Sequence, residues 1–430
     1  MKHTIHLVVA FFMLSSMVSC KQNKTANIAI EAIDRESANA INPYFTKDQK
    51  GNVVLCWTSQ DPIDSLYRLK YAIYNTINKA FNEAVIVPSS AGLTTSPESM
   101  GKVAFKEDGT VIAVFGKKIE NAESPYAGIV CYSTSTDHGR NWSSEKIIHS
   151  DTSQNVGHSF FDIATLKNGE VAAIWLDGRF GKAEKGSALY FAKTKNGKEF
   201  GMDTLLDKNT CECCRTEILA DDNGNIHIAY RGIAFPSGMF GKQVRDMVYL
   251  SSSDYGNTFS KAKTISNDNW QIEGCPHTGP SLAVDNQQVN AVWFTAGGET
   301  GLYYTSSANM NSDFKKRTLL SATGKHPQMT TLIKGKLAIV FENTSHPSMK
   351  VEHSTMKMDH STMNHSSTGE TSIILQILKN GDKATTIEVT DGKQADHHAV
   401  ITSLNKSLLI AWIHEKDGKA QINYSNVSDL

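Results

Sequence analysis

Seven stretches of the chain share one pattern: a turn rich in Asp, Asn or Gly, then alternating apolar residues that end in an aromatic. They are QKGNVVLCW, to Trp57; EDGTVIAVF, to Phe115; KNGEVAAIW, to Trp175; DNGNIHIAY, to Tyr230; DNQQVNAVW, to Trp293; IKGKLAIVF, to Phe341; and LNKSLLIAW, to Trp412. Alternation of period two, carried by β-branched and aromatic residues, predicts strands, and few segments have helical periodicity. The copies recur at roughly 50 to 70 residues, enough for a four-stranded unit. The expected fold is therefore all-β, a propeller of seven blades with four strands each. Six blades is the alternative if one copy is not a true repeat. The last copy leaves only QINYSNVSDL behind it, whereas Asn27 to Ile33, NIAIEAI, alternates well and has no partner of its own. The N-terminal strand is expected to complete the last blade and close the ring.

Two units carry a second signature. Ser135 to Trp142, STDHGRNW, fits S-x-D-x-G-x-x-W through Ser135, Asp137, Gly139 and Trp142. Ser252 to Phe259 fits with Phe for Trp, and a worn copy, KTKNGKEF, ends at Phe200. In such a turn the Asp caps its own loop, Gly takes positive φ and the aromatic wedges into the blade, so Asp137 and Asp254 are structural. With these Asp-boxes the chain resembles the sialidase superfamily of Asp-box (BNR repeat) propellers. CECCRTEI, VRDMVYLSSSDYGNTFS and WQIEGCPHTGPSLAVD are similar to a secreted branch often labelled sialidase.

The resemblance to sialidases implies three arginines on a sialic-acid carboxylate, a Tyr–Glu nucleophile pair and an Asp acid/base. Bidentate pairing explains the arginines, and Lys is a poor substitute. The first arginine belongs in an Arg-Ile-Pro motif, where this chain reads AINPYFTKD. Arg179, Arg215, Arg231 and Arg245 are available, but the last three fall in one unit. Glu217 beside Arg215 or Arg231, and Asp177 beside Arg179, read more simply as ion pairs. No catalytic set is assigned. A sialidase-like glycoside hydrolase, or a glycan-binding lipoprotein, is the alternative function.

The chain opens MKHTIHLVVAFFMLSSMVSC, a short basic start and an apolar run too short to span a bilayer. Met17-Val-Ser-Cys20 resembles a bacterial lipobox, which implies a signal peptide over 1–19, lipid on Cys20 and a polar tether over 20–26. The propeller domain then covers 27–430. Lys21, where inner-membrane retention favours an acidic residue, points to the outer membrane of a bacterial envelope. The formal net charge of −1 gives no electrostatic case for nucleic acid.

Of seven cysteines, Cys56 and Cys131 sit inside strand patterns and read as buried and inert. Cys211, Cys213, Cys214 and Cys275 have two readings. They are two disulfides in an oxidising compartment, or thiolates that hold Cu(I) or Zn(II) with His277. Position favours a metal: inner strands should begin near Pro43, Pro97, His158, Cys213–Arg215, Cys275–His277, His326 and His397–His398. Five of these seven starts carry His or Cys, and the mouth of a propeller is where they converge.

An insertion over 345–368 reads H-x-x-M three times: His346 and Met349, His353 and Met356, His360 and Met363, with His365 after them. Its polar composition predicts no packed structure. Thioether and imidazole together suit copper, and the run resembles loops of bacterial periplasmic copper-resistance proteins. The leading expectation is a lipid-anchored propeller that captures copper on this loop and holds it at a Cys/His site, with His158, His326, His397 and His398 as neighbours. Zinc is the alternative metal. The role would be copper tolerance or hand-over to a copper-handling partner.

Overall fold

The computed structural model describes residues 28–430 apart from 196, 239–241, 275, 334, 345–369 and 429. The chain is all-β with a propeller arrangement, and its strands join into six sheets. Five sheets are separate blades of four or five strands. Their inner strands are Ala40–Lys47, Lys102–Phe105, His158–Thr165, Glu217–Ala220 and Ser281–Asp285. The sixth sheet is eight-stranded. One half holds Gly324–Ile333, Lys336–Thr344, Thr371–Lys379 and Asp382–Glu388. The other holds Ala395–Leu404, Ser407–Lys416, Lys419–Val427 and Glu31–Ile33. The halves meet at a single parallel pair, Thr371 with Ala395. Seven expected units thus appear as five separate blades and one double-width sheet. Glu31–Ile33 runs antiparallel to the last strand, with Glu31 opposite Tyr424 and Ile33 opposite Ile422.

Every repeat aromatic lies in the second strand of its unit and is buried. Four of them are tryptophans, and each indole N–H donates to a carboxylate that also holds a basic side chain. Trp57 donates to Asp34 at 2.8 Å, beside Lys70 at 2.9 Å. Trp175 donates to Asp177 at 3.0 Å, beside Arg179 at 2.7 Å. Trp293 donates to Asp268 at 2.8 Å, which Arg317 also binds. Trp412 donates to Asp396 at 2.9 Å, beside His414 at 2.7 Å. A buried carboxylate is tolerated only when paired and hydrogen-bonded, and here an indole and a base share that work. Arg179 and Arg317 also lie over Tyr190 and Tyr303, at 3.8 and 4.1 Å from the ring centroids.

The two S-x-D-x-G turns share one geometry. Asp137 Oδ1 accepts from the N–H of Arg140 and Asn141, and Asp254 Oδ1 from those of Asn257 and Thr258. Gly139 and Gly256 have φ of 87° and 76°, and each lies so close to an aromatic that a Cβ would collide. These carboxylates close turns on the outer edge.

The indole–carboxylate bond is testable. Trp293→Phe keeps the apolar body but removes the donor from a buried Asp268, and is expected to lower unfolding free energy in urea by about 1–3 kcal/mol. Trp293→Ala adds a cavity and is expected to cost about 3–5 kcal/mol. A Phe variant as stable as the parent would mean that the indole contributes only bulk.

Candidate functional site

Four of the seven inner strands are not regular ladders. Register shifts occur between Ile41 and Tyr44, Ser159 and Asp162, Lys325 and Gln328, and His397 and Val400. At each shift stands a residue other than glycine with positive φ: Asn42 at 57°, Phe160 at 51°, His326 at 47° and His398 at 49°. A bulge re-aims one side chain out of the pleat. Side chains in the left-handed region are uncommon and recur where structure serves a site. Here the bulges bring His326 and His398 together from the two halves of the eight-stranded sheet. Their rings stack with centroids 4.5 Å apart.

Glu98, one residue past Pro97, completes the group. One ligand atom from each of Glu98, His326 and His398 lies within 4.8 Å of the others. The Arg215 backbone N–H donates to Glu98 Oε2 at 3.3 Å. Glu98 Oε1 is buried without a hydrogen-bond partner, 4.0 Å from His398 Nε2 and 3.8 Å from Arg215 Nη1. His397 Nε2 lies 3.2 Å from Glu415, and His397 Nδ1 lies 2.7 Å from His398 Nδ1. With the proton of that contact on His398 Nδ1, His397 Nδ1 accepts it, while His397 Nε2, within ion-pair distance of Glu415, makes no hydrogen bond among the described residues. The His398 Nε2 lone pair then faces the unpartnered oxygen of Glu98, and two acceptors confront each other across the axis. A cavity of about 10 Å³ adjoins them, lined in part by Asn42, Arg215, His326 and His398.

Glu342 supports this group from behind. Its Oε1 pairs with His326 Nδ1 at 2.6 Å, and its Oε2 accepts from the His398 backbone N–H at 3.1 Å. Burial alone would raise the Glu342 carboxyl, but His326, His398 and His397 outweigh it and hold it well below the usual range. Burial likewise works against the His326 proton, yet the Glu342 charge prevails and keeps that proton to higher pH than usual. Burial, then the charge of His326, holds His398 neutral. A carboxylate behind a histidine is the common way to orient a metal ligand.

Below this level the inner strands carry a second polar tier. Lys102 Nζ lies 3.4 Å from Asp162 Oδ1 and donates to the Phe161 carbonyl at 2.9 Å. Tyr44 donates to Asp162 at 3.4 Å. Several of these groups bond the backbone of the next inner strand. Ile218 N donates to Asp162 at 2.8 Å, Leu282 N to Glu217 at 2.8 Å, and Met329 N to Ser281 Oγ at 3.1 Å. Burial of the Glu217 carboxyl first, then the Asp162 charge, push it up to about 8.

Of the expected Cys/His metal set, Cys211, Cys213 and Cys214 do come together, with one sulfur of each within 4.8 Å of the others. Cys213 is disulfide-bonded and offers no thiolate, while Cys211 and Cys214 are free thiols. Neither sequence reading, two bridges or four thiolates, describes this state. Cys275 lies outside the described residues, as do Cys20 and the loop residues His346, Met349, His353, Met356, His360, Met363 and His365. His277 joins the axis through its carbonyl, which lies 3.1 Å from His326 Nε2. His158 starts its strand as expected but belongs to another cluster, with Asp151 and Asp177 at 3.6 and 3.5 Å. Its ring leans on His149 rather than on the axial histidines.

The four arginines do not converge on one pocket. Arg179 binds Asp177 and Asp203, both at 2.7 Å. Arg231 caps the carbonyls of Arg245, Thr278 and Phe294. Arg245 binds Cys211 and Glu212. Only Arg215 reaches the axis, where it donates to the carbonyls of Pro280 and Pro327. Sequence reasoning found His326, His397, His398 and the position of Pro97, but missed Glu98, Glu342 and Glu415. A signal was present for one of them: Glu342 directly follows the repeat aromatic Phe341.

No family model matches the chain, and no curated protein matches it. Among solved structures it is similar to the polysaccharide lyase Uly1, at 11% identity over 96% of this chain and 94% of that one, with a TM-score of 0.55. A PL25 ulvan lyase matches at 11% identity over 91% of this chain and 94% of that one, also with a TM-score of 0.55. A Hadza microbial sialidase matches at 12% identity over 88% and 77% of the two chains, with a TM-score of 0.47. Identities this low speak of the propeller fold alone.

Glu217 yields a prediction with a definite sign. A carboxyl raised on folding contributes stability that is full below about pH 4.5 and lost as pH rises through about 8. Glu217→Gln keeps the acceptor for Leu282 N–H and removes the titration. The variant is expected to melt higher than the parent at pH 8, with the difference shrinking towards pH 4.5. A difference independent of pH would show that Glu217 does not titrate in this range.

Proposed function

We propose that the chain is a lipid-anchored propeller of the bacterial envelope that holds copper at its axis, through Glu98, His326 and His398. The observation that carries this reading is the meeting of the unpartnered Glu98 oxygen with the His398 Nε2 lone pair, beside His326, which becomes a third donor once its Nε2 gives up its proton and the His277 carbonyl. Two imidazoles and a carboxylate form a borderline donor set that suits copper, with zinc as the alternative. Glu342 is the outer carboxylate that fixes both histidines. The metal would supply Lewis acidity or a redox couple, and the chain supplies a narrow, pre-oriented seat.

In this reading the eight-stranded sheet is two blades joined at one residue pair, which gives seven blades. The turns at Asp137 and Asp254 are Asp-boxes, and Cys20 carries the lipid. The His/Met segment captures copper and passes it to the axial seat, for tolerance or for hand-over to a copper-handling partner. A glycan-directed role is the second reading. It is favoured by Arg215, the one guanidinium at the axis, since arginine is suited to a sugar carboxylate, and the lyases of like fold are named for polysaccharides.

Metal content by elemental analysis separates these readings. Protein from residue 21 onward is loaded with copper or zinc and desalted, beside a form lacking residues 345–368. The loop-deleted protein is expected to retain about one equivalent of copper and to lose it in His398→Ala and Glu98→Gln. Copper lost with the loop alone would remove the axial site. Cleavage of a uronic- or sialic-acid substrate by a protein that binds no metal would favour the glycan reading.

A further inference from the structure

Beside the axial site lies a group of sulfurs that the copper reading does not use. Cys211 Sγ is 3.5 Å from Cys214 Sγ and 3.8 Å from Cys213 Sγ. The sequence Cys211-Glu-Cys-Cys214 spaces the two free thiols as C-x-x-C, with the disulfide-bonded Cys213 between them. The three sit on the turn between Thr204–Thr210 and Glu217–Ala220. Arg245 Nη1 donates to Cys211 Sγ at 3.0 Å and is held in place by Glu212 at 2.9 Å.

The other buried thiols are different. Burial pushes Cys56 and Cys131 up to about 12, so they stay protonated and inert. For Cys211 the hydrogen bond from Cys214 comes first, and Arg245 and Arg231 add to it; together they outweigh burial and bring the thiol down to about 6. A thiolate is the attacking form in disulfide exchange. Cys211 has a disulfide sulfur at one side and a resolving thiol at the other.

We propose that Cys211, Cys213 and Cys214 form an internal thiol–disulfide relay, in which the disulfide carried by Cys213 moves to the Cys211–Cys214 pair. The Cys211 thiolate attacks Cys213 Sγ. A Cys211–Cys213 bond forms as the bond from Cys213 to its former partner breaks, and the partner sulfur leaves as a thiolate and takes up a proton. Cys214 gives up its proton and attacks Cys211 Sγ. The Cys211–Cys214 bond forms, and the Cys213 sulfur leaves and is protonated. One disulfide and two thiols stand on each side, so no oxidant is consumed. All three cysteines are buried, and Cys213, at 7% exposed against 1% for each of the others, is the least covered sulfur, where an external thiol or disulfide would enter. The substrate class is a thiol or disulfide small enough to reach that sulfur.

The test is disulfide mapping by mass spectrometry on the whole chain, purified without reductant. Iodoacetamide is kept present at pH 7, so that each Cys213 thiol released is capped and exchange is drawn forward. The expected result is a Cys211–Cys214 disulfide that grows with time, with Cys213 alkylated in the same molecules. Cys211→Ser should leave Cys213 bridged throughout. Arg245→Gln keeps every sulfur and should slow exchange about tenfold at pH 7, by lowering the thiolate fraction. Cys213 still bridged in wild-type protein, with Cys211 and Cys214 alkylated or unreacted as thiols, would overturn the relay. That outcome is read on wild type and holds whether or not a variant folds.

Discussion

Four largely buried carboxylates, each shared by a tryptophan indole and a basic side chain, anchor the second strands of their units in this propeller. The geometry there is tight: His158 pairs in register with Asp177, and Asp396 with His414. A carboxylate at that depth must be neutralised, and no single donor suffices. The indole is delivered from the core side because the second strand is buried throughout, as in Val171–Asp177. The base arrives from a neighbouring position on the rim. Position of the inner strand, and so of everything at the axis, follows from this anchoring.

At the axis the same logic takes a different form. Asp162, Glu217 and Ser281 bond backbone N–H groups of adjacent inner strands, so the acids there hold blade to blade. This separates the carboxylates of the lower tier from chemistry: Glu217 lies near Arg215 in sequence, yet its acceptor is engaged by Leu282. The upper tier is unlike it. The bulges at His326 and His398 abandon the ladder in order to turn imidazoles inward, and Glu98 meets them with an oxygen that no hydrogen bond among the described residues satisfies. Unpaired polarity set on strained backbone is what distinguishes a site from scaffolding.

The cysteines show how one motif can divide. C-x-C-C reads equally as a bridge or as a metal cluster, because spacing along a turn places all three sulfurs close together in either case. Folding breaks the tie by environment. Cys213, the most exposed of the three, is bridged, whereas Cys211 is drawn to Arg245 from another strand connection. An arginine already bound to a sulfur leaves less for a cation to do there. The imidazoles of the axis have no such competitor on His398 Nε2.

The strand pattern and its aromatic period were legible in the sequence because alternation records which face of a strand is buried, and burial is a local property of the chain. Trp57, Trp175, Trp293 and Trp412 mark core positions by themselves, and the alternation in Asn27 to Ile33 was enough to assign it to the last strand. The inner-strand starts near Pro43, His158, His326 and His397–His398 were legible for the same reason, whereas Lys102, Glu217 and Ser281 begin their strands later than the expected Pro97, Arg215 and His277. What the sequence could not determine was which of these side chains meet. Glu98 is separated from His326 and His398 by hundreds of residues, and Glu342 from His398 by 56. Their approach depends on bulges that no local pattern announces. The double-width sheet, the separation of His158 from the axis, and the company kept by each arginine were decided only by closure of the ring, since closure fixes distances between blades that chain spacing leaves free.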